Sequence, residues 1–326
     1  MDLATSSCSN DTCGQYIINP LADSIYTGDL GQDLISISPK QPLSPFLSAV
    51  IDSDDPLQNL PKQSKGIMGL ARTQLSFPKQ MNTQKFALCL PSSSPNSKGI
   101  IFIGDSAPQS LTQFTFSTPL ITNPVSTSPV HTQAESSYEY YINVTSISVY
   151  GDPVHFDTSY LSIDKKGNGG TKISTMTPYT KLHNDILKPL VRNFAKKASD
   201  RKIRRVESVG PFRACFDKTT IRETREGLDV PFIMMKVDGS TFWGIYGRNL
   251  MVEVEENVVC LAFVDGGKVR KGASGVASVV IGGYTLEDIY LEFDLGSSKF
   301  SFGDSLFLRN ETCSLYSTTS TSVSSF

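Results

Sequence analysis

The sequence lacks the features that mark membrane, nucleic-acid-binding and dithiol redox proteins. No run approaches the roughly 18 apolar residues of a membrane span. Its 30 basic and 32 acidic side chains leave a formal net charge of −2, which gives no electrostatic attraction to nucleic acid or to an anionic membrane. None of its six cysteines stands in a C-x-x-C pair, so neither a zinc site nor a dithiol centre is expected.

Familiar catalytic motifs are also missing. There is no G-x-S-x-G nucleophile elbow. The only histidines, His131, His155 and His183, do not stand at metal-ligand spacings, so we expect neither a metal nor another cofactor. We interpret His183 as a surface residue at the start of a helix. The single tryptophan, Trp243, is interpreted as a strand-packing residue rather than a platform for a sugar ring.

One basic cluster occurs, at Lys196, Lys197, Arg201, Lys202, Arg204 and Arg205. Base stacking requires aromatic side chains between such charges, and none is interleaved here. We therefore interpret the cluster as a solvated helix end and loop.

Short β-type runs bounded by turn signals dominate what is present. They cover 33–38, 85–89, 99–103, 140–149, 232–237, 251–254 and 291–302. Helical patterns are few, at 75–81 and after Thr180, and Pro189 is expected to split or kink the second. The composition, 39 % hydrophobic, fits a globular chain. The sequence therefore predicts a mainly β protein.

Two apolar-apolar-Gly segments form a weak internal repeat, at 66–70 and 279–284. We expect both to be strands, with a glycine that allows close backbone approach. Between them, the stretch 169–180 follows a strand-like run and precedes the longer helical pattern. Its core reads Ile-Ser-Thr-Met-Thr-Pro-Tyr-Thr from Ile173 to Thr180.

This order of elements resembles the C-terminal lobe of a pepsin-like aspartic protease. The family pattern there is apolar-Asp-Thr/Ser-Gly-Thr/Ser-x-Thr, and this chain has Ser174 at the aspartate position, Thr175 next, and Met176 at the glycine position. Further segments, at 10–14, 66–73, 75–80, 85–90, 99–105, 210–216 and 249–252, are similar to those of the plant dermal glycoprotein, basic 7S globulin and TAXI-type xylanase inhibitor group. The resemblance runs from Cys8 to Cys313.

The resemblance implies a pepsin-like bilobal acid-protease fold with an incomplete first lobe. The expected lobes are 1–130, without a first catalytic loop, and 131–326, with the degenerate loop at Ser174, Thr175 and Met176. The stretch 120–137 is expected to cross between them. We expect the chain to be a fragment that has lost its N-terminal segment and signal peptide, and to fold poorly alone because sheet edges would be exposed.

The resemblance also assigns residues outside the loop. It pairs Cys215 with Cys260 and Cys89 with Cys313. Cys8 and Cys13 either close a short loop or pair with cysteines outside this sequence. Tyr26 is either near the tip of a flap hairpin or an ordinary hairpin residue. Asn10, Asn143 and Asn310 begin N-x-S/T sequons, which favour a secreted, oxidising location.

Peptidase chemistry of this family needs two carboxylates that share a proton. The sequence contains no Asp-Thr-Gly or Asp-Ser-Gly, and a serine does not ionise near neutral pH. The missing acid predicts an inactive protein. The resemblance implies an extracellular (cell-wall or apoplast) protein that binds a microbial glycoside hydrolase of xylanase or endoglucanase type. The family's xylanase inhibitors insert a histidine near the chain end; here the nearest counterpart is Arg309. An active aspartic endopeptidase and a storage or peptide-binding protein remain alternatives.

Overall fold

The structure, a computed structural model, describes residues 6–9, 12–19, 21–22, 24–36, 43–51, 53, 55–60, 64–94, 96–128 and 135–319. Strands dominate it, so the mainly β prediction is confirmed. The chain divides into two compact units, Met1–Thr83 with Pro124–Tyr138, and Gln84–Asn123 with Glu139–Phe326. The predicted lobe boundary after residue 130 stays a prediction.

The first unit is built on one antiparallel sheet in the order β1-β2-β3-β4. Its elements are β1 (Ser6–Ser9), β2 (Thr12–Asn19), β3 (Ser24–Ile35), β4 (Ser44–Val50) and the short helix α1 (Phe77–Gln80). The amide of Gln80 ties α1 to the sheet: its oxygen accepts from the Leu47 N–H at 2.7 Å and its nitrogen donates to the Leu47 carbonyl at 2.9 Å.

The second unit contains the remaining strands and helices. In chain order they are β5 (Lys85–Cys89), β6 (Ile100–Ile103), α2 (Gln109–Thr112), β7 (Thr115–Ile121), β8 (Tyr140–Ile142), β9 (Val144–Val149), β10 (Asp152–Pro153), β11 (Thr171–Ile173), β12 (Thr180–Leu182), α3 (Asn184–Asp200), β13 (Arg205–Val206), β14 (Cys215–Asp217), β15 (Glu223–Thr224), β16 (Gly227–Leu228), β17 (Ile233–Val237), β18 (Thr241–Ile245), α4 (Gly247–Leu250), β19 (Met251–Glu255), β20 (Val258–Leu261), β21 (Phe263–Asp265), β22 (Val279–Ile281), α5 (Gly283–Leu286), β23 (Tyr290–Asp294), β24 (Lys299–Gly303) and α6 (Cys313–Thr319).

A ten-stranded sheet carries the functional region of the second unit. Its order is β21-β12-β22-β11-β8-β7-β24-β23-β5-β6. Two four-stranded sheets, β10-β9-β17-β18 and β13-β14-β20-β19, and the pair β15-β16 complete the unit. Buried and partly buried residues alternate along β17, as expected for a strand whose successive side chains point to opposite faces of the sheet.

The long helix α3 continues through Pro189, so the predicted split does not occur. Proline inside a helix costs about 3 kcal/mol. Against that, the side chains of Ile186, Leu187, Leu190 and Phe194 are fully buried, and each contributes roughly 1.5–3 kcal/mol. Packing of the apolar face therefore outweighs the lost hydrogen bond.

Two disulfides fix the core of the second unit, and they are the pairs that the resemblance implies. Cys89–Cys313 lies in a cluster with Phe102, Leu111 and Tyr290. Cys215–Cys260 joins the facing residues of β14 and β20. Cys13 is also disulfide-bonded.

The segment 66–70 corrects one prediction. It belongs to no strand, and the side chains of Ile67 and Met68 are 40 % and 48 % exposed. A strand needs ladder partners on its edges, and no described strand pairs with this segment. Its repeat counterpart is β22, which has a partner on each side. None of the helices in the described ranges is long and apolar enough to cross a membrane.

Candidate functional site

The candidate site is the 174–179 loop, which connects β11 to β12. β11 runs parallel to β22, with Ile173 opposite Ile281. β12 lies on the other edge of β22 and runs antiparallel to it, with Lys181 opposite Val280. The loop therefore passes over the carboxyl end of β22, which places its side chains at one end of the sheet.

Backbone hydrogen bonds hold the loop against the residues that follow β22. The Ser174 N–H donates to the Ile281 carbonyl at 2.9 Å, the Gly283 N–H to Thr177 at 2.7 Å, and the Tyr284 N–H to Pro178 at 2.9 Å. None of these bonds involves the side chain at position 174. The loop can therefore keep its shape without the aspartate of the family pattern.

Gly282 makes this close contact possible, as the sequence predicts for the glycine of the repeat. A Cβ atom at Gly282 would lie 2.4 Å from the carbonyl carbon of Tyr179 and 2.8 Å from the carbonyl oxygen of Thr177. Real Cβ atoms do not approach backbone atoms so closely, so only glycine fits between β22 and the loop.

The Ser174 hydroxyl closes the loop from inside. It accepts a hydrogen bond from the Thr177 N–H and another from the Thr177 hydroxyl, both at 3.1 Å. These two bonds fill the two acceptor positions of a serine oxygen. No described carboxylate or imidazole accepts the Ser174 proton, so the hydroxyl has no general base to make it a nucleophile.

The rest of the loop forms a partly exposed surface. Met176 is half-buried, whereas Thr175 and Pro178 are exposed. Tyr179 packs edge-on against Phe212, with ring centroids 4.8 Å apart. Desolvation, with a smaller effect from the charge of Glu287, raises the pKa of the Tyr179 hydroxyl. Tyr179 is therefore a neutral, packed side chain rather than an acid.

Beneath the loop lies a buried pair of threonines. The hydroxyls of Thr180 and Thr285 are 2.7 Å apart, both side chains are fully buried, and the Thr180 hydroxyl accepts from the Gly282 N–H at 3.1 Å. Sequence analysis missed this pair and the role of Thr177. Thr177 does occupy a Thr/Ser position of the family pattern, so that position was the available signal.

Two carboxylates follow α5, and each accepts at least one structural hydrogen bond. Glu287 accepts from the N–H and the hydroxyl of Ser93. Asp288 is fully buried and accepts from the Cys313 N–H at 2.7 Å. Desolvation raises the pKa of each carboxyl group. Both groups therefore stabilise contacts between distant parts of the chain.

Other predicted residues lie away from the loop. Tyr26 is the third residue of β3, and its hydroxyl donates to the Asp55 carbonyl at 3.1 Å. Arg309 donates to the Ser110 carbonyl at 2.9 Å and pairs with Glu311 at 3.3 Å. Asn310 is exposed and Asn143 half-buried, whereas Asn10 and the side chain of Cys8 lie outside the described residues. The flap and partner roles stay predictions.

Trp243 is a packing residue, as interpreted from the sequence. It is 2 % exposed and stacks on Phe302 with centroids 4.4 Å apart. The surface interpretation of His183 is wrong. His183 is 6 % exposed, caps α3 by accepting from the Asp185 N–H, and stacks on Tyr160 at 4.2 Å. Burial lowers its pKa, so the ring is neutral near pH 7.

Comparisons with known proteins agree with the geometry. A family profile described as xylanase inhibitor C-terminal matches residues 139–304, and one described as xylanase inhibitor N-terminal matches residues 1–105. Probable aspartic proteinase GIP2 of Nicotiana benthamiana is 41 % identical over 96 % of this chain and 74 % of its own length.

Solved structures show the same likeness. A crystal structure of edgp is 37 % identical, with a TM-score of 0.84 over 94 % of this chain and 78 % of that one. Basic 7S globulin from soybean is 27 % identical, with a TM-score of 0.73 over 96 % of this chain and 79 % of that one.

Proposed function

Because the chain belongs to the pepsin-like family described as xylanase inhibitors, we propose that it is an inactive protease homologue that binds another protein. The proposed partner is a microbial glycoside hydrolase of the xylanase or endoglucanase type. The observation that carries the proposal is the loop of Ser174, Thr175 and Met176: the position of the family's aspartate holds a hydroxyl whose two acceptor sites are filled by Thr177.

The absence of a carboxylate at position 174 removes the chemistry of an aspartic protease from this loop. That chemistry needs one carboxylate as base toward water and a second, protonated one as acid toward the carbonyl. A hydroxyl at position 174 does neither near the pH at which such dyads work, because its pKa lies far above those of carboxylates. The fold therefore offers a surface for binding rather than a centre for hydrolysis.

Arg309 is the proposed contact residue for the hydrolase. Its guanidinium is partly exposed and is held by Ser110 and Glu311, with its carbon 5.0 Å from the ring centroid of Phe114. A guanidinium held in this way is pre-organised to pair with a carboxylate. Glycoside hydrolases carry such carboxylates as their catalytic acid and base, which gives Arg309 a chemical target.

An inhibition assay tests the proposal. The protein would be titrated into a panel of microbial xylanases and endoglucanases, with Arg309→Ala as the contact variant and Arg222→Ala as an exposed control. We expect inhibition of at least one enzyme, weakened by Arg309→Ala alone. Absence of inhibition across the panel would refute the hydrolase partner, and equal weakening by both variants would remove Arg309 from the contact.

A second candidate function is an aspartic endopeptidase, favoured by the printed name of the relative that is 41 % identical. The test is cleavage of a denatured protein substrate between pH 3 and pH 5, with and without pepstatin. We expect no cleavage above background. Pepstatin-sensitive cleavage by the wild-type protein would overturn the proposal of inactivity.

A storage or peptide-binding role is a third candidate, favoured by the likeness to basic 7S globulin. A pepsin-like fold without catalysis can still hold an extended peptide through strand-like hydrogen bonds. A pull-down from apoplastic fluid separates the candidates: recovery of a glycoside hydrolase supports the first, and recovery of short peptides without a hydrolase supports the third.

Secretion is part of the proposal. The disulfides Cys89–Cys313 and Cys215–Cys260 and the bonded state of Cys13 suit an oxidising compartment. The exposed Asn310 begins a sequon in a left-handed turn after Arg309. When the protein is produced through a plant secretory pathway, we expect Asn310→Gln to remove a glycan that endoglycosidase releases from the wild type. The half-buried Asn143 serves as the comparison position. We expect Asn143→Gln to leave the electrophoretic mobility of the protein unchanged.

A further inference from the structure

Outside the 174–179 loop, two surface loops of the second unit contact each other. They are 162–170, before β11, and 266–278, between β21 and β22. The Gly169 N–H donates to the Val276 carbonyl at 2.8 Å, and the Gly275 N–H donates to the Lys166 carbonyl at 3.0 Å. These bonds run in both directions, so the two loops form one fixed surface.

The side chain of Asn168 stabilises the contact between the two loops. It is 9 % exposed; its amide nitrogen donates to the Ala273 carbonyl at 3.0 Å and its amide oxygen accepts from the Val276 N–H at 3.1 Å. One buried side chain therefore holds two points of the opposite loop. Between the loops lies an open cavity of about 480 Å³, which is within the range of roughly 300–1,000 Å³ for small-molecule sites.

Positive charge dominates the lining of this basic cavity. Lys165, Lys166, Arg270 and Lys271 line it, all exposed. Across the part of the chain that the structure describes, none of the four forms an ion pair. The only lining carboxylate, Asp164, accepts from the backbone N–H groups of Lys166 and Asn168, each at 2.8 Å. The cavity thus carries a net charge of +3 within a chain of net charge −2.

The basic cluster that stood out in the sequence behaves differently. Lys197 pairs with Asp152 at 2.6 Å, Arg201 pairs with Asp229 at 3.1 Å, and Arg204 pairs with Asp217. Lys268, which precedes the lining residue Val269 but does not itself line the cavity, is likewise paired, with Asp185 at 3.6 Å. Carboxylates therefore neutralise three of the six cations of the basic cluster, whereas within the described residues they neutralise none of the four that line the basic cavity.

The geometry favours one class of ligand. Phosphate sites commonly use free backbone N–H groups, but the lining residues Lys166, Asn168 and Ala273 already donate theirs within the two loops. No aromatic side chain lines the cavity among the described residues, so there is no platform for a neutral sugar or a base. The cavity instead offers three lysine point charges on flexible stems and one planar guanidinium, which pairs well with a carboxylate.

We propose that the basic cavity binds an anion that carries two or more separated carboxylate groups. Its sources are a free polycarboxylate or an oligosaccharide of uronic acids, which present the same chemistry. The site is independent of the proposed function, because it uses neither Ser174 nor Arg309.

Isothermal titration calorimetry with the full chain tests the proposal. The probes are citrate, trigalacturonate, inorganic phosphate and the neutral xylotriose. The test variant is Lys166→Gln/Lys271→Gln. The matched control is Arg192→Gln/Lys196→Gln, which removes the same charge from two exposed residues of α3 that form no ion pair with any described residue. Thermal melts confirm that both variants fold like the wild type.

We expect citrate, trigalacturonate or both to bind at low salt. The cavity variant should weaken that binding by roughly tenfold, since it removes two exposed charges that would each pair with the anion. The control should stay within about twofold, and binding should weaken as salt rises toward 0.3 M because surface charges are screened. Tighter binding of citrate would identify the ligand as a free polycarboxylate, and tighter binding of trigalacturonate would identify it as an oligosaccharide of uronic acids. No binding of either carboxylate, equal weakening by both variants, or equally tight phosphate or xylotriose would overturn the proposal.

Discussion

At the scale of single residues, the Ser174 hydroxyl is a structural acceptor. In Ser174→Ala the N–H and the hydroxyl of Thr177 lose their partner in a half-buried loop. We expect the free energy of unfolding to fall by about 1–2 kcal/mol, the usual cost of leaving such donors unsatisfied. Urea denaturation of the two proteins measures the difference.

The exposed neighbour Thr175 gives the control, since Thr175→Ala should change stability by less than about 0.5 kcal/mol. Equal losses of stability in the two variants would show that the Ser174 hydroxyl does not close the loop.

Gly282 and Gly283 provide a matched pair of residues for testing the close approach at β22. In Gly282→Ala the new methyl meets backbone atoms of Tyr179 at 2.4 Å and 2.6 Å, whereas in Gly283→Ala the nearest atom is 3.5 Å away. We expect the first change to destabilise the protein by about 3 kcal/mol, at the upper end for overpacking.

The second change should be nearly neutral or slightly stabilising, because Gly283 begins α5 and alanine favours a helix. Both are measured by thermal melts. A Gly282→Ala protein as stable as Gly283→Ala would contradict the steric account.

Residue roles were predictable only where a pattern marks them. The glycine beside the loop and the missing acid at Ser174 follow from the family pattern alone. The contact between Thr180 and Thr285 does not, because it joins residues 105 apart and arises only when β22 lies between β11 and β12. His183 was misjudged for a similar reason: its ring is buried by Tyr160, which precedes β11 in the chain.

At the scale of elements, local patterns found the strands but not their partners. The segments 66–70 and 279–284 read alike, yet only the second forms a strand, because only it has neighbours on both edges. Pro189 shows the opposite case, in which a strong local signal against a helix is outweighed by burial of four apolar side chains. Tertiary context decided both outcomes.

The connection between α5 and β23 predicts a pH dependence. Desolvation raises the pKa of Glu287 in the fold, although the bonds from Ser93 lower it in part. A carboxyl group with a raised pKa stabilises the fold below its unfolded pKa, near 4.3. That stabilisation is lost as the pH rises through the folded pKa. We therefore expect the wild type to lose stability relative to Glu287→Gln between pH 4 and pH 7.

Urea denaturation at both pH values tests this linkage. Glu256→Gln is the control, since Glu256 is an exposed glutamate in the turn between β19 and β20. The stability difference between wild type and Glu256→Gln should be the same at pH 4 and pH 7. A wild type that gains stability relative to Glu287→Gln as the pH rises would reverse the sign and refute the account.

At the scale of the whole molecule, composition predicted a globular protein but not how charge is distributed over its surface. The membership in the xylanase-inhibitor family and the mainly β fold followed from motifs spread along the chain, and both are confirmed. From the net charge of −2 we expect no general polyanion-binding surface, and this stays a prediction. The net charge could not reveal the basic cavity, because the cations at 165–166 and at 270–271 come together only when Asn168 joins their loops.

The two disulfides should contribute unequally to the stability of the whole chain. Cys89–Cys313 closes a separation of 224 residues and Cys215–Cys260 one of 45. On the chain-entropy account the longer loop restricts the unfolded ensemble more, by about 5 kcal/mol against about 4 kcal/mol. We therefore expect Cys89→Ser/Cys313→Ser to melt at a lower temperature than Cys215→Ser/Cys260→Ser under non-reducing conditions, or to fail to fold while the second variant folds.

Both bridges lie in buried clusters where serine hydroxyls would be poorly accommodated, so that cost is similar in the two variants. A larger loss from Cys215→Ser/Cys260→Ser would show that local packing around β14 and β20, rather than the length of the closed loop, sets the contribution of these bridges.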